Sequence, residues 1–301
     1  MNDVYYTTLI DRDILSITGP DSLAFLQGIV TNDLEKLNDK IALYSAILTP
    51  QGKYLHDFFI FEVDGNIYID CPKNQIDSIE KKLNMYRLRA NLEITKPGDA
   101  YSVFSLTGPG VIDITQAEEG LINSELSGKG IIFFDPRLNQ LGARAVLKKN
   151  SAIDIIVNKG FIKKDYENYN ELQISMGIPG GIDVEFLRGA FPLELGFSEL
   201  NAISFEKGCY VGQEVTARMK VRNLVKKRLV PVLFDGASLK AGTTIYVQDK
   251  PVGQVFATAN DKGVVMFRIE KLLQILESKE EIIVDQTKVR PTLPDWFNIN
   301  V

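Results

Sequence analysis

The feature that most constrains the fold is a change of character near residue 227. Beyond it, "KRLVPVLFDG", "TTIYVQDKPVGQVFATA" and "KGVVMFRI" are short β-rich runs separated by glycine turns. Strands so short and so closely spaced bury their apolar faces against one another, which predicts a small β-barrel or sandwich. Upstream, β-rich runs alternate with amphipathic helices, so the whole chain reads as α+β. For 301 residues, at about 150 residues per domain, two domains are expected, 1–227 and 228–301.

"LIDRDILSITG" alternates as an opening strand. "GPDSLAFLQGIVTNDL" predicts a helix capped by Asp21 or Ser22, with Leu23, Leu26, Ile29 and Val30 on one face. "IALYSAILTPQGKYLHDFFIFEVDGNIYIDCP" holds three strands, and Asp64-Gly65 is a hairpin signal. "KNQIDSIEKKLNMYRLR" predicts a helix with Ile76, Ile79, Leu83 and Tyr86 on one stripe. "ANLEIT" and "AYSVFSLTG" read as strands, followed by a less regular stretch. "GKGIIFFDPRLNQLGARAVLK" is a β pair, "KKDYENYNELQISMGIP" a helix ending near Gly177, and "GGIDVEFLRGAFPLELGFSEL" is loop-rich. The N-terminus shows no basic stretch leading into an apolar run, so no signal peptide is expected. No window approaches the roughly 20 apolar residues of a membrane span.

Residue counts exclude much chemistry. The single histidine, His56, would have to serve any Ser-His-Asp or Cys-His site. Two cysteines, Cys71 and Cys209, make no disulfide framework and fit a reducing compartment. They cannot supply the four or so thiolates of an iron–sulfur cluster, and no local Cys/His set suits structural zinc. No phosphate-cradling glycine loop occurs. The net charge of −5 gives no general nucleic-acid footprint. One local exception, "RMKVRNLVKKR" at 218–228, reads either as a solvated basic face or as a surface for an anionic ligand.

The stretch "FEKGCYVGQEVTARM" places Cys209 beside Gly208 and near Lys207, with "GQEVTARMK" able to start a helix just after it. A helix N-terminus and a neighbouring cation both favour a thiolate. Such a thiolate is a nucleophile or a soft-metal ligand. The other reading is a small buried hydrophobe. Glu214 and Arg218, spaced i, i+4, would form an ion pair or shape a pocket around Cys209. Cys71, at a strand end before Pro72, reads as buried.

From "KGCYVGQE" on, the chain resembles the YgfZ family through the signature K-G-C-[FY]-x-G-Q-E. These are folate-binding-type proteins related to the T-protein (aminomethyltransferase) of the glycine cleavage system. "FLQGIVTNDL", "ALYSAILTPQGK", "FPLELGF" and "VTARMKVRNLVKKRL" resemble further family blocks in the same order, so the resemblance covers nearly the whole chain. It implies a T-protein-like, multi-lobed α+β fold around a folate-sized hole, with two interleaved lobes in 1–227 and a C-terminal β-barrel in 228–301. It implies assembly, insertion or repair of iron–sulfur clusters, chiefly [4Fe–4S], in client enzymes, with an indirect effect on tRNA modification. Lys207 and Cys209 would then be the functional centre, framed by Gly208, Tyr210, Gly212, Gln213, Glu214 and Arg218. His56, Asp57, Glu194 and Arg222 would face folate. The implied cofactor is tetrahydrofolate, with no intrinsic metal. The implied partners are a folate-like small molecule and iron–sulfur client or assembly proteins, with no direct nucleic acid and no membrane, in the cytoplasm.

Departures from the T-protein weigh against its reaction. His56 stands at its catalytic aspartate's place, beside Asp57. Where its L-R-x-E-x-G block grips the pterin, "LQISMGIP" offers Gln173 for the arginine and Ser175 for the glutamate. A hydroxyl lacks the paired, charge-assisted contacts of a carboxylate. The alternative function, a folate-dependent one-carbon transferase, would have only His56 and Asp57 as acid or base. A third reading is a binding module that uses the folate-shaped hole for interaction only, in which changes to the basic segment 220–228 would matter and loss of the Cys209 thiol would not.

Overall fold

The computed structural model describes residues 3–38, 41–111, 115 and 129–298; the less regular stretch ahead of Gly130 falls mostly outside them. The chain divides into two compact units. The first comprises 1–48, 56–166 and 200–211, and the second 49–55, 167–199 and 212–301. The second unit thus takes three earlier segments besides the strands after residue 227.

The first unit holds two five-stranded sheets. One runs Leu43–Leu48, Tyr54–Val63, Asn66–Pro72, Arg12–Thr18, Glu93–Thr95 in spatial order. Its central hairpin turns on Asp64 (φ 52°) and Gly65 (φ 75°), with Val63 paired to Asn66. Two successive positive φ values match the right-handed twist of the flanking strands, as the Asp-Gly signal predicts. The other sheet runs Ile162–Lys163, Tyr5–Thr8, Tyr101–Thr107, Ala143–Lys148, Gly130–Phe134. Its apolar face packs Tyr6, Phe104, Leu106, Ile132 and Ala145 with Ala152 and Ile156 of the helix Lys149–Asn158.

A buried ionic knot joins the two sheets. Asp70, fully buried on Asn66–Pro72, accepts from Arg12 Nε at 2.7 Å and from Arg144 Nη2 at 2.8 Å. Arg12 lies on the same sheet and Arg144 on the other. Phe59 receives the guanidinium of Arg144 over its ring at 4.1 Å. Burial alone would raise the Asp70 carboxyl, but the two arginines outweigh it and hold the group below its ordinary value.

In the second unit six antiparallel strands run Thr244–Val247, Lys250–Ala259, Lys262–Arg268, Lys227–Asp235, Thr287–Pro291, Ile282–Val284. The two edge strands approach each other, so the sheet curls into a nearly closed barrel. Val230, Val232, Val255, Val265 and Phe267 fill it, and Leu272 and Ile275 of the helix Ile269–Ser278 join this core. Arg228, fully buried on the first barrel strand, donates to the Leu193 carbonyl and pairs with Glu199. That contact fastens the "FPLELGF" segment to the barrel.

Three elements differ from the periodicity. The first helix is only Ser22–Gln27, and Val30 bridges to Ile47 as a strand residue instead. Asp21 does not cap it; its carboxylate accepts from the Asn91 N–H at 2.7 Å. The opening strand begins at Arg12, because the chain turns after Leu9, and Tyr5–Thr8 is a separate strand.

Candidate functional site

The short first helix has a consequence for the cysteine loop. Because the helix stops at Gln27, the carbonyls of Gln27, Val30 and Asn32 leave the helical ladder. Lys207 Nζ donates to all three, at 2.8, 2.7 and 2.7 Å. An ammonium has three N–H groups, so Lys207 has none left for a ligand. Burial pulls its pKa down to about 8, against the pull of Asp33 and Glu35. The charge expected beside the thiol is therefore committed to these carbonyls, and the role open to Lys207 is positioning.

Further bonds staple the same two segments together. The Ser204 N–H donates to the Thr31 carbonyl at 3.0 Å, and Thr31 Oγ1 donates to the Ala202 carbonyl at 2.6 Å. Asn32 Nδ2 donates to the Asn201 carbonyl at 2.8 Å, and the Val211 N–H to the Gly28 carbonyl at 3.3 Å. Tyr210 is buried, with the Lys207 ammonium 5.1 Å from its ring centroid; burial pushes its phenol up to about 12. Cys209 itself is exposed. An exposed thiol thus sits between anchors at Lys207, Tyr210 and Val211, all in the first unit. The buried-hydrophobe reading of Cys209 is excluded. It holds for Cys71, which is fully buried, donates its S–H to the Asp13 carbonyl at 3.7 Å, and is pushed far up by burial.

Two glycines of the motif differ in kind. Gly212 has φ +85° and precedes the helix Gln213–Val221, a backbone conformation that favours glycine. Gly208 has no such φ, and a Cβ built there meets nothing within 4 Å. The fold does not require a glycine at 208.

The helix after the cysteine forms as expected, but Cys209 lies four residues ahead of Gln213, outside the turn where a macrodipole acts. Gly212, Gln213, Glu214, Arg218 and Arg222 belong to the second unit, so the motif crosses the boundary between Val211 and Gly212. There the "TPQGK" turn meets the helix: a Cβ on Gly52 would lie 2.8 Å from Val215 Cβ. Glu214 and Arg218 are both exposed, and no salt bridge joins them. Arg222 is exposed at the helix C-terminus.

Of the residues expected to face folate, His56, Asp57 and Glu194 are engaged in the fold. His56 is buried, with Nδ1 2.6 Å from Gln75 Oε1 and Nε2 3.1 Å from Ser78 Oγ. Asp57, its neighbour on the strand, accepts from Tyr44 OH at 2.7 Å. Adjacent strand residues face opposite sides, so the two do not form one acid–base pair. In the second unit, the Ser175 hydroxyl donates back to the Leu172 carbonyl at 2.8 Å, and Gln173 is buried. Glu194 accepts from the Phe191 N–H at 2.8 Å. Burial keeps its carboxyl above the ordinary value, against the opposing pull of that N–H, Lys53 and Lys227.

The residues that sequence reasoning missed are the acceptors of the Lys207 nest. Their signal was present: "GIVTND" puts a glycine and three polar residues directly after an apolar helical stripe, and Thr31 and Asn32 are buried. Among the described residues no group of three or more His, Cys, Asp or Glu could hold a metal ion.

Residues 12–146 match the GCVT N-terminal domain, and residues 226–299 match the CAF17 C-terminal beta-barrel domain. The aminomethyltransferase T of the glycine cleavage system from Bartonella henselae superposes with a TM-score of 0.73 at 12% identity, covering 99% of this chain and 87% of that one. That likeness shows the fold. The chain is 29% identical to the mitochondrial iron-sulfur cluster assembly factor IBA57 homolog of Neurospora crassa, over 77% of this chain and 54% of that protein. It is 26% identical to mitochondrial IBA57 of Mus musculus, over 95% and 83%, and 32% identical to the Pyricularia oryzae homolog, over 76% and 58%. It spans little more than half the length of the two fungal relatives. With a T-protein-like N-terminal region followed by a CAF17-type barrel, the chain belongs to the IBA57/YgfZ/CAF17 family.

Proposed function

We propose that the protein is an iron–sulfur cluster assembly or repair factor in which the Cys209 sulfur makes the working contact with cargo or partner. One observation carries this reading: the thiol is exposed on a loop whose neighbours are pinned, next to a glycine that the fold does not need. A side chain at Gly208 would occupy space beside the thiol that is open in the free protein. One thiolate cannot hold a cluster that wants about four, so cluster contact on this reading draws its other ligands from a partner. The names of the relatives support the same class of function. The clients we propose are [4Fe–4S] enzymes, including those acting in tRNA modification. Free-thiol chemistry fits the cytoplasm or another reducing compartment.

Tetrahydrofolate enters through the fold and the N-terminal domain match. The residues present do not fit its use in group transfer. No carboxylate stands at Gln173 or Ser175, the Ser175 hydroxyl is spent on its own helix, and His56 is bonded through both ring nitrogens. No step of the proposal therefore runs through folate.

The test is repair in extract. Extract of a strain lacking the gene, containing an oxidatively damaged [4Fe–4S] dehydratase, is supplemented with purified wild type or Cys209→Ala. Wild type is expected to speed the return of activity, and Cys209→Ala to match buffer. Equal acceleration by both would remove the thiol from the mechanism. Aminomethyl-donor turnover lost in Asp57→Ala would favour the one-carbon transferase.

A further inference from the structure

The first unit carries a second surface feature, independent of the cysteine loop. The last turns of the helix Ile76–Arg87 and the loop after it read "KKLNMYRLRANL", residues 81–92, which hold Lys81, Lys82, Arg87 and Arg89 and no acid, in a chain of net charge −5. A shallow depression open to solvent is lined here by Asn84, Met85, Arg87, Leu88, Arg89 and Asn91, with Ala90.

Leu88 is the unusual residue. It terminates the helix at φ 45°, ψ −106°, and the residue is 90% exposed. This backbone conformation is not the left-handed helical cap that asparagine also adopts, but a positive-φ region that glycine alone enters readily. A leucine there is strained and gains nothing from burial. The strain is held in place from both sides. The Ala90 N–H donates to the Arg87 carbonyl at 2.8 Å, and Asn91 is pinned by Asp21 and by close approach to Gly19. Met85, one turn back, is 57% exposed.

The flanking cations do not explain themselves within the fold. Cations at a helix C-terminus are favourable in general, but Arg87 and Arg89 make no salt bridge or side-chain hydrogen bond among the described residues. The nearby Asp21 carboxylate is taken by the Asn91 N–H, and Lys96 holds Asp77 and Glu80. Two unpaired guanidiniums flank an exposed leucine, with an adaptable methionine beside it. Guanidiniums present fork-shaped donors to carboxylates, and leucine and methionine offer apolar contact.

We propose that this surface docks an acidic segment of a partner protein, whose carboxylates meet Arg87 and Arg89 while an apolar side chain covers Leu88 and Met85. The strained leucine is kept for the partner and not for the fold.

The test uses the full chain and a fluorescein-labelled peptide of glutamates interrupted by two leucines, read by anisotropy at moderate salt. An all-glutamate peptide of equal charge is the control. Wild type is expected to bind the mixed peptide more tightly than the control. Leu88→Gly, and separately the pair Arg87→Glu with Arg89→Glu, should each weaken binding by about tenfold, as for anchor residues in an interface. Leu88→Gly should also keep or raise the melting temperature, since glycine accepts that backbone. No binding by wild type, equal binding by either variant, or equal binding of the all-glutamate peptide would overturn the proposal. A lowered melting temperature in Leu88→Gly would do the same, by placing the leucine in the fold.

Discussion

Lys207 and Asp70 show how single buried charges set this molecule's local geometry. Lys207 reads from the sequence as a cation beside a thiol; its use as a three-carbonyl clamp depends on a helix stopping 180 positions earlier, which no local pattern announces. Asp70 reads as an unremarked strand residue, yet it joins two sheets through Arg12 and Arg144. Removing one partner of such a buried set costs about 3–5 kcal/mol, so Asp70→Asn is expected to lower the free energy of unfolding in urea by roughly that amount. The sign with pH follows from its depressed carboxyl. Its contribution is complete above the ordinary aspartate value of about 3.9 and disappears as pH falls through the lower folded value. Acid titration of stability should therefore fall more steeply below about pH 4 in wild type than in Asp70→Asn. Parallel curves would remove Asp70 from the acid response.

At the scale of elements, the two motif glycines separate fold from function. Gly212 takes φ +85° before the helix Gln213–Val221, and an alanine there costs about 1–2 kcal/mol. Gly208 meets open space, so Gly208→Ala should leave the melting temperature unchanged and still impair client activity in cells. A destabilised Gly208→Ala, or a fully active one, would show that the open space is unused. Most elements were legible where period and punctuation agreed, as in the Asp64-Gly65 hairpin, the Ile76–Arg87 helix and the barrel strands. The helix Ser22–Gln27 falls short of its apolar stripe because Ile29 and Val30 are buried by a turn and a bridge, which the same stripe also permits. The helices Lys149–Asn158 and Ile269–Ser278 escaped reading although "IEKLLQILES" carries a clear 3.6-residue period.

At the scale of the whole molecule, the resemblance carried the T-protein-like fold, and the local reading independently carried the barrel. The division into units was not legible, because segments 49–55 and 167–199 join the second unit through contacts distant in sequence. The sequence singles out Cys209 by its motif but not the support beneath its loop: the clamp at Gln27, Val30 and Asn32 is tertiary. The central claim is that Cys209 serves chemistry and not packing. The most direct measurement restores a gene deletion with wild type or Cys209→Ala at equal protein level and matched melting temperature, then assays a [4Fe–4S]-dependent enzyme under oxidative stress. Rescue by wild type alone is the predicted result; equal rescue by Cys209→Ala would contradict the account.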